Sequence, residues 1–312
     1  MSDYGYSEKT NRNMRTNSNM SYEKIFSFIK KRTDIPDEDK IIYQYTNIEA
    51  LFNGIIVKEP KKTNEEICLW ASHYMYLNDP TEIAIIQEYI NEILDKYFVE
   101  KDNDKTIIDL ISDTKYFITS FSTTLDSLPM WSMYGKNGSG IALGFDKDAI
   151  HRGSKNEPLC RCVYLDKEVK NKIEFFCERY KGKKITKEDF SIGLGFSLFA
   201  ILLATVLKGN KEQFDDIVSF LQFIMGLKSP AYNFENEIRL IVQPEDSEIK
   251  YRSQNNLIIP YTENFFPKKV LKEIWIGPTN DMERTEKSLR SYLDNKGFSD
   301  VKICRSIIPL RK

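Results

Sequence analysis

Residues 129–146 read PMWSMYGKNGSGIALGFD, and this stretch combines aromatic residues, closely spaced glycines and a short apolar run. A P-loop needs a lysine followed by serine or threonine, and a dinucleotide-binding loop needs glycines that open a helix. Here Lys136 is followed by Asn137, and the glycines follow a helical pattern and precede a strand pattern. The stretch therefore predicts a short helix, a turn and a strand rather than a phosphate-binding loop.

The glycines and the asparagine of this stretch predict the shape of the turn. We expect Gly135 to end the helix in the left-handed conformation. Asn137 and Gly138 are suited to the positive φ angles of a tight turn. Gly140 is expected to let the strand begin close to a neighbouring backbone or a ligand. An alternative is that the whole stretch serves packing only.

The composition is that of a globular chain. It has 312 residues, of which 41% are hydrophobic and 29% charged, as in ordinary folded domains. Forty-five Lys and Arg against 46 Asp and Glu give a net charge of −1, so the basic excess of many phosphate-neutralising proteins is absent. Five widely spaced cysteines and two histidines argue against a disulfide framework and a zinc site. We therefore expect a cytoplasmic protein without a metal.

The order of strand and helix patterns predicts an α+β fold in a single domain over residues 21–312. Strand patterns occur toward both ends, and helical patterns cluster in an insertion at about 168–227, so we expect a mixed, mainly antiparallel sheet. Residues 1–20 lack an apolar segment and are expected to form a flexible tail. Residues 190–207 carry no charge over eighteen positions, the lower limit for a membrane-spanning helix. We favour a buried helix, because strands that belong together lie on both sides of it, and we expect no membrane partner.

Four segments in order resemble a bacterial family that is catalogued as domain of unknown function 2971. They are YQYT at 43–46, LWASHYMYLNDPTE at 69–82, SFSTTLDSLPMWSMYGKNGSGIALGF at 120–145 and FENEIRLIV at 234–242. The resemblance extends over about residues 40–305, and the third segment is its most specific part. Thr81 departs from the family, which often has an aromatic residue there. The family carries no assigned reaction, so this resemblance alone implies no activity.

A weaker resemblance is to the ADP-ribosyltransferase-like fold. Proteins of this fold combine a first strand with an aromatic residue, a second strand with Ser-x-Ser and a late strand with Glu, often as Glu-x-Glu. The matching residues here are Tyr43, Tyr45 and Thr46, then Ser120 and Ser122, then Glu235 and Glu237. The resemblance implies a nucleotide ligand, with NAD as substrate.

The same resemblance implies roles for these residues. Cleavage of nicotinamide from NAD passes through an oxocarbenium-like sugar, and Glu237 is expected to stabilise its charge. Glu235, two residues along the strand on the same face, would position or deprotonate an acceptor. Tyr45, with Trp131 or Tyr134, is expected to stack on nicotinamide or adenine.

Four further residues are expected at the nucleotide. Ser120 and Ser122 would hold the first strand or the ribose through their hydroxyl groups. Tyr43 lies on the same strand face as Tyr45 and is a reserve candidate, and Thr46 ends the same strand.

Each of these predictions has a purely structural alternative. Glu235 and Glu237 also fit a half-exposed, solvated strand, with Arg239 on the same face as their ion partner. Trp131 also fits a packing role.

Two functional hypotheses of different class follow. The leading one is an NAD-using ADP-ribosyltransferase-like enzyme that acts as a toxin or anti-phage effector on a protein or nucleic-acid acceptor. The alternative is a non-catalytic module of the same fold that binds a nucleotide or a protein. A third reading, a helical membrane-associated protein, rests on residues 190–207 alone. The enzymatic hypothesis requires Tyr45, Ser120 and Glu237 to meet at one cleft.

Overall fold

The computed structural model describes residues 31–60, 62, 65–77, 88, 116–154, 157, 159–178, 226–254, 256–279 and 281–309. The predicted tail and the apolar segment at 190–207 lie outside these residues. Of the predicted helical insertion, only residues 168–178 and 226–227 are described. No helix within the described residues is long and apolar enough to cross a membrane.

The elements of the described residues are strands and short helices. The strands are β1 (Ile41–Thr46), β2 (Ile67–His73), β3 (Phe117–Ser122), β4 (Ile141–Asp146), β5 (Leu159–Arg161), β6 (Val163–Tyr164), β7 (Leu227–Lys228), β8 (Glu237–Val242), β9 (Lys250–Gln254), β10 (Leu257–Phe266), β11 (Leu271–Ile276) and β12 (Lys302–Arg305). The α-helices are α1 (Ile48–Ala50), α2 (Leu128–Met133), α3 (Lys147–Gly153), α4 (Lys167–Glu178) and α5 (Met282–Asn295). A π-helical turn, Leu51–Ile55, follows α1, and 3-10 turns lie at Tyr74–Tyr76, Pro230–Glu235, Asp246–Glu248 and Lys268–Val270.

The strands form one large mixed sheet, which confirms the predicted α+β class. Its order is β12-β11-β4-β1-β3-β2-β10-β9, with β8 paired to both β3 and β5. The pair β11–β12 is parallel, and the other pairs of this sheet are antiparallel. Strands β6 and β7 form a separate parallel pair.

The large sheet is split at β3. Strand β8 pairs with β3 over its whole length, Phe117–Ser122, and so occupies one of its two edges. The other edge is shared: β1 meets it only at Ser122, and β2 meets it only at Phe117 and Ile118. At that edge, none of the described strands pairs with residues 119–121. Strands β1 and β2 therefore diverge from β3 and leave a gap between them.

Alternation along the strands gives the sheet one apolar and one mixed face. Every second residue of β2, β4 and β8, together with Phe117 and Phe121 of β3, enters the main core, where Leu289 and Leu293 of α5 also pack. On the opposite face, Tyr43, Tyr45 and Ala142 pack with Met130 and Trp131 of α2. Since strand side chains alternate between faces, the apolar set fixes which polar residues share the mixed face.

The turn after α2 agrees with the prediction at three positions and differs at one. Asn137 and Gly138 have φ angles of 53° and 82°, as predicted. A Cβ at Gly140 would collide with the carbonyl oxygen of Thr46, so the close approach to a neighbouring backbone is confirmed. The prediction for Gly135 was wrong, because the left-handed run begins at Lys136, with φ of 50°. Gly135 is instead required because a Cβ there would lie 2.6 Å from Cε3 of Trp131.

Candidate functional site

A cavity of about 680 Å³ opens where β1 and β2 diverge. This volume is within the range of small-molecule sites. Tyr45 of β1, Ser120 of β3 and Glu237 of β8 all line it. The register explains why Glu237 and its neighbours share the mixed face: Tyr43 pairs with Ser122, and Ser122 pairs with Glu237. Three separate chain segments thus meet at one cavity.

A buried cluster of four charged side chains forms part of the cavity wall. Its members are Lys228, Glu235, Glu237 and Arg239, each at most 6% exposed, and all four line the cavity. Two cations and two carboxylates balance in charge. Buried charges are tolerated only when they are paired and hydrogen-bonded. We therefore expect that loss of any one of these side chains destabilises the folded protein.

The carboxylate of Glu237 accepts hydrogen bonds from two cationic side chains, Arg239 and Lys228. Its Oε1 accepts from Nε of Arg239 at 3.1 Å, and its Oε2 accepts from Nη2 of Arg239 at 3.0 Å and from Nζ of Lys228 at 2.7 Å. The Sγ of Cys162 lies 3.4 Å from the same Oε2. Burial by itself would raise the pKa of Glu237, but the charges and hydrogen bonds of Arg239 and Lys228 outweigh it and lower that pKa well below its ordinary value. The carboxylate is therefore ionised at neutral pH.

The structure contradicts the alternative of a solvated strand at this position. All six residues of β8 are buried, because β8 lies between β3 and β5. Arg239 is the ion partner of Glu237, as that alternative supposed, but the pair is inside the molecule.

Glu235 reaches the same cluster from a different element. It ends the 3-10 turn Pro230–Glu235, and Asn236 follows it in the left-handed conformation with φ of 41°. The prediction that Glu235 lies on the strand with Glu237 was therefore wrong, because the backbone turns between them. Its Oε1 accepts from the hydroxyl of Tyr134, and its Oε2 accepts from Nζ of Lys228. Burial and the bond to Glu235 raise the pKa of Tyr134, which keeps this donor protonated.

Tyr43 and Tyr45, the predicted aromatic residues of β1, line the cavity, and hydrogen bonds hold their hydroxyl groups in place. Tyr43 donates to Oε1 of Glu273 at 2.9 Å, and Tyr45 donates to the carbonyl of Thr124 at 3.0 Å. Burial raises the pKa of both, that of Tyr45 to about 12. Thr46 also lines the cavity. Both rings are 8% exposed, so only a small part of each is open to a ligand.

Two predicted residues support the cavity from behind rather than lining it. Trp131 is 0% exposed, packs edge-on against Tyr45 with 4.8 Å between ring centroids, and donates from Nε1 to Asp126 at 2.8 Å. The prediction that Trp131 stacks on a ligand is contradicted, because no part of its ring is open. Ser122 is 1% exposed and donates to the carbonyl of Glu235. Its hydroxyl holds the loop that carries Glu235 and does not reach a ribose.

The cavity wall also contains residues that were not predicted from the sequence. Trp70 and Ser72 of β2 and Arg252 of β9 line it. Alternation in LWASH places Trp70 and Ser72 on one strand face, which was a usable signal. Strand β9, KYRSQ, has no apolar alternation, so its sequence gave no sign of a strand or of Arg252.

The described residues contain no cluster of three or more His, Cys, Asp or Glu that could hold a metal ion. Cys160 and Cys162 are both buried. Burial raises the pKa of Cys160 to about 12, so this thiol is protonated at neutral pH.

Comparisons with known proteins give a family match for part of the chain. The model of a family described as "Protein of unknown function (DUF2971)" matches residues 130–240. This range includes Tyr134, Glu235 and Glu237, which line the cavity. A search of curated proteins gave no match.

Among solved structures, the chain is similar to "Thermus sp. 2.9 DarT in complex with ADP-ribosylated ssDNA". The identity is 13%, the alignment covers 88% of this chain and 97% of that chain, and the TM-score is 0.30. A TM-score of this size does not establish a common fold, so the likeness assigns no function to the cavity. The resemblance of the segments at 43–46 and 69–82 lies outside the family match and stays a prediction. Over residues 130–240 the family match confirms the resemblance indicated by the sequence, and there the chain resembles the DUF2971 family of proteins of unknown function.

Proposed function

We propose that the cavity binds NAD or a related nucleotide and that the chain transfers or releases ADP-ribose. The observation that carries this proposal is the meeting of Tyr45, Ser120 and Glu237 on one cavity. These are the three positions that the resemblance to ADP-ribosyltransferases implies, and they come from separate segments of the chain. Their convergence is the geometric condition that the enzymatic hypothesis had to meet.

The proposed reaction breaks the bond between the nicotinamide nitrogen and C1′ of the ribose. The bonding electron pair leaves with nicotinamide, which becomes neutral, and positive charge develops on the sugar. Glu237 is ionised, and its negative charge favours this state. An acceptor oxygen, from water or another molecule, then bonds to C1′ and gives its proton to Glu235, whose carboxylate is positioned by Tyr134 and Lys228.

One observation favours a second candidate, a non-catalytic nucleotide-binding module. Arg239 and Lys228 contact both oxygens of Glu237 and balance its charge. In this candidate the carboxylate stabilises the fold, and the cavity binds its ligand without bond cleavage.

The two candidates are separated by incubation with radiolabelled NAD, with and without protein and single-stranded nucleic acid as acceptors. We expect release of nicotinamide by the wild type and a loss of at least about 100-fold in Glu235→Gln and Glu237→Gln. Glu283→Gln, on the exposed surface of α5, is the matched control. Circular dichroism shows whether each variant folds, and Glu235→Gln carries the test if Glu237→Gln does not.

Each outcome decides between the candidates. Stabilisation of the wild type by NAD without any turnover would support the binding module. Absence of both binding and turnover would overturn both nucleotide proposals.

The proposed biological role is that of a toxin or anti-phage effector. If so, expression in a bacterium should arrest growth in the wild type and not in Glu235→Gln. Normal growth at equal protein levels would contradict this role.

A further inference from the structure

Among the described residues that line the cavity, Arg252 is the charged one that lies outside the balanced cluster. Nη2 of Arg252 donates to Oγ of Ser72 at 2.8 Å. Its guanidinium carbon lies 5.5 Å from the ring centroid of Trp70 and 5.9 Å from that of Tyr261. These contacts fix the position of the guanidinium on the cavity wall.

Arg252 has hydrogen-bonding capacity that the described residues leave unused. Its Nε is buried and has no hydrogen-bond partner among them. Glu263 of β10 is the register partner of Trp70 and is the nearest carboxylate on this face of the sheet. It does not serve Arg252, because its Oε2 already binds Nζ of Lys250 at 2.6 Å. Burying a guanidinium donor without a partner costs free energy, so an acceptor that binds to Nε of Arg252 would be favoured.

The charges that line the cavity are not balanced once Arg252 is counted. The lining contains the cations Lys228, Arg239 and Arg252 and the carboxylates Glu235 and Glu237, which leaves one positive charge. Lys228, Glu235, Glu237 and Arg239 are bonded to one another, whereas Arg252 lies apart from them on β9, so the surplus charge is that of Arg252.

We propose that Arg252, with Ser72 and Trp70, forms an anion site that binds a phosphate or diphosphate group of the cavity's ligand. A guanidinium offers paired donors that match phosphate oxygens. Trp70 is 39% exposed and offers an adjacent aromatic surface for a base or sugar. The assignment of this group to the diphosphate of a dinucleotide rests on the proposed function, whereas the anion site itself does not.

The site is tested with inorganic diphosphate as probe, by calorimetry at low salt. We expect the wild type to bind diphosphate and Arg252→Met to bind it at least about tenfold more weakly. Arg252→Lys keeps the charge without the paired donors and should lie between the two. The matched control is Arg305→Met, the same substitution on β12 at the other end of the strand order, where Arg305 contacts Glu286 at the surface. This control should bind diphosphate like the wild type.

Further arms distinguish this inference from the proposed function. Adenosine, which lacks phosphate, should bind equally to the wild type and Arg252→Met, whereas NAD should bind more weakly to the variant. Diphosphate binding that depends on Arg252, in a protein that neither binds nor cleaves NAD, would support the anion site and refute the proposed function. Equal diphosphate affinity in the wild type and a folded Arg252→Met would overturn the anion site, whatever the result with NAD. If Arg252→Met does not fold, equal affinity in Arg252→Lys and Ser72→Ala would do the same.

Discussion

Glu237 and Arg239 lie two residues apart on β8, and this spacing places both side chains on the mixed face of the sheet. Each is almost fully buried, and they are bonded through both carboxylate oxygens. A buried pair of this kind is weak evidence of net stabilisation, but loss of one partner leaves an uncompensated charge in the interior.

The Arg239→Met substitution should therefore destabilise the protein strongly. We expect a loss of about 3–5 kcal/mol in the free energy of unfolding, and a partial recovery when Glu237→Gln is added to the same chain. Urea unfolding of the two single variants and the double variant measures this coupling. Arg305→Met, which removes an exposed ion pair, is the control and should cost less than about 1 kcal/mol. Equal losses of unfolding free energy in Arg239→Met and Arg305→Met would show that the buried charges of the cluster do not depend on their pairing.

Tyr45 predicts a dependence of stability on alkaline pH. Burial raises its pKa from 10.0 to about 12, so the unfolded chain ionises this residue first as the pH rises. The pKa shift of Tyr45 contributes on the order of 2–3 kcal/mol to the free energy of unfolding. This contribution is complete below pH 10 and is lost between about pH 10 and 12. Thermal unfolding across this range should show a shallower decline for Tyr45→Phe than for the wild type. Tyr251→Phe, at a ring that is 67% exposed, should decline as the wild type does.

At the scale of elements, α2, its turn and β4 are joined by close backbone contacts. The turn brings Gly140 against the carbonyl of Thr46, at the end of β1. The position of α2 behind Tyr45 therefore depends on the absence of a side chain at Gly140.

Gly140→Ala should disturb this junction more than a glycine substitution elsewhere. The added Cβ would meet backbone atoms that cannot rotate away, and we expect a loss of about 1–3 kcal/mol. Gly54→Ala is the matched control, because its Cβ would lie 3.5 Å from Trp70 in ordinary contact. Differential scanning calorimetry compares the two variants. A melting temperature of Gly140→Ala equal to that of Gly54→Ala would show that the junction relaxes freely.

At the scale of the whole molecule, Asp126 joins distant parts of the chain. Its carboxylate accepts from Nε1 of Trp131, from Oγ of Ser306 and from the backbone N–H of Ile307. Its φ angle of 51° is one that Asp and Asn adopt more readily than most residues. The segment after β12 is thereby fixed to the loop that leads into α2.

Asp126→Asn should loosen this connection without changing the backbone requirement. The amide group cannot accept all three bonds, so we expect a loss of about 1–3 kcal/mol and faster hydrogen exchange at Ile307. Asp300→Asn, at an exposed residue, is the control. Unchanged exchange at Ile307 would refute the role of Asp126 as the link.

The sequence predicted the fold wherever local patterns decide structure. Alternation in IIYQYT and FITSFS gave β1 and β3, and the glycine pattern gave the turn at Asn137. It failed where tertiary contacts decide. Strand β9 has no apolar face of its own, and Asn236 breaks the strand geometry that was assumed for Glu235.

Residues of the candidate site could be predicted from the sequence, but their arrangement in space could not. Tyr45, Ser120 and Glu237 were selected in sequence and line one cavity. Sequence could not reveal that Lys228 lies between Glu235 and Glu237, because this contact joins separate elements. It also could not reveal that Trp131 is fully buried, because that burial depends on the packing of α2 against Tyr45 of β1.

The split in the sheet has a consequence for what can enter it. A strand with an unpaired edge ordinarily invites pairing with another chain, and hence aggregation. The open part of β3 is only three residues long, about 10 Å, and is closed at both ends by β1 and β2. A foreign strand of usual length does not fit there, whereas a small molecule can use the same main-chain groups. The split thus leaves a main-chain edge that is too short to pair with a strand of another polypeptide.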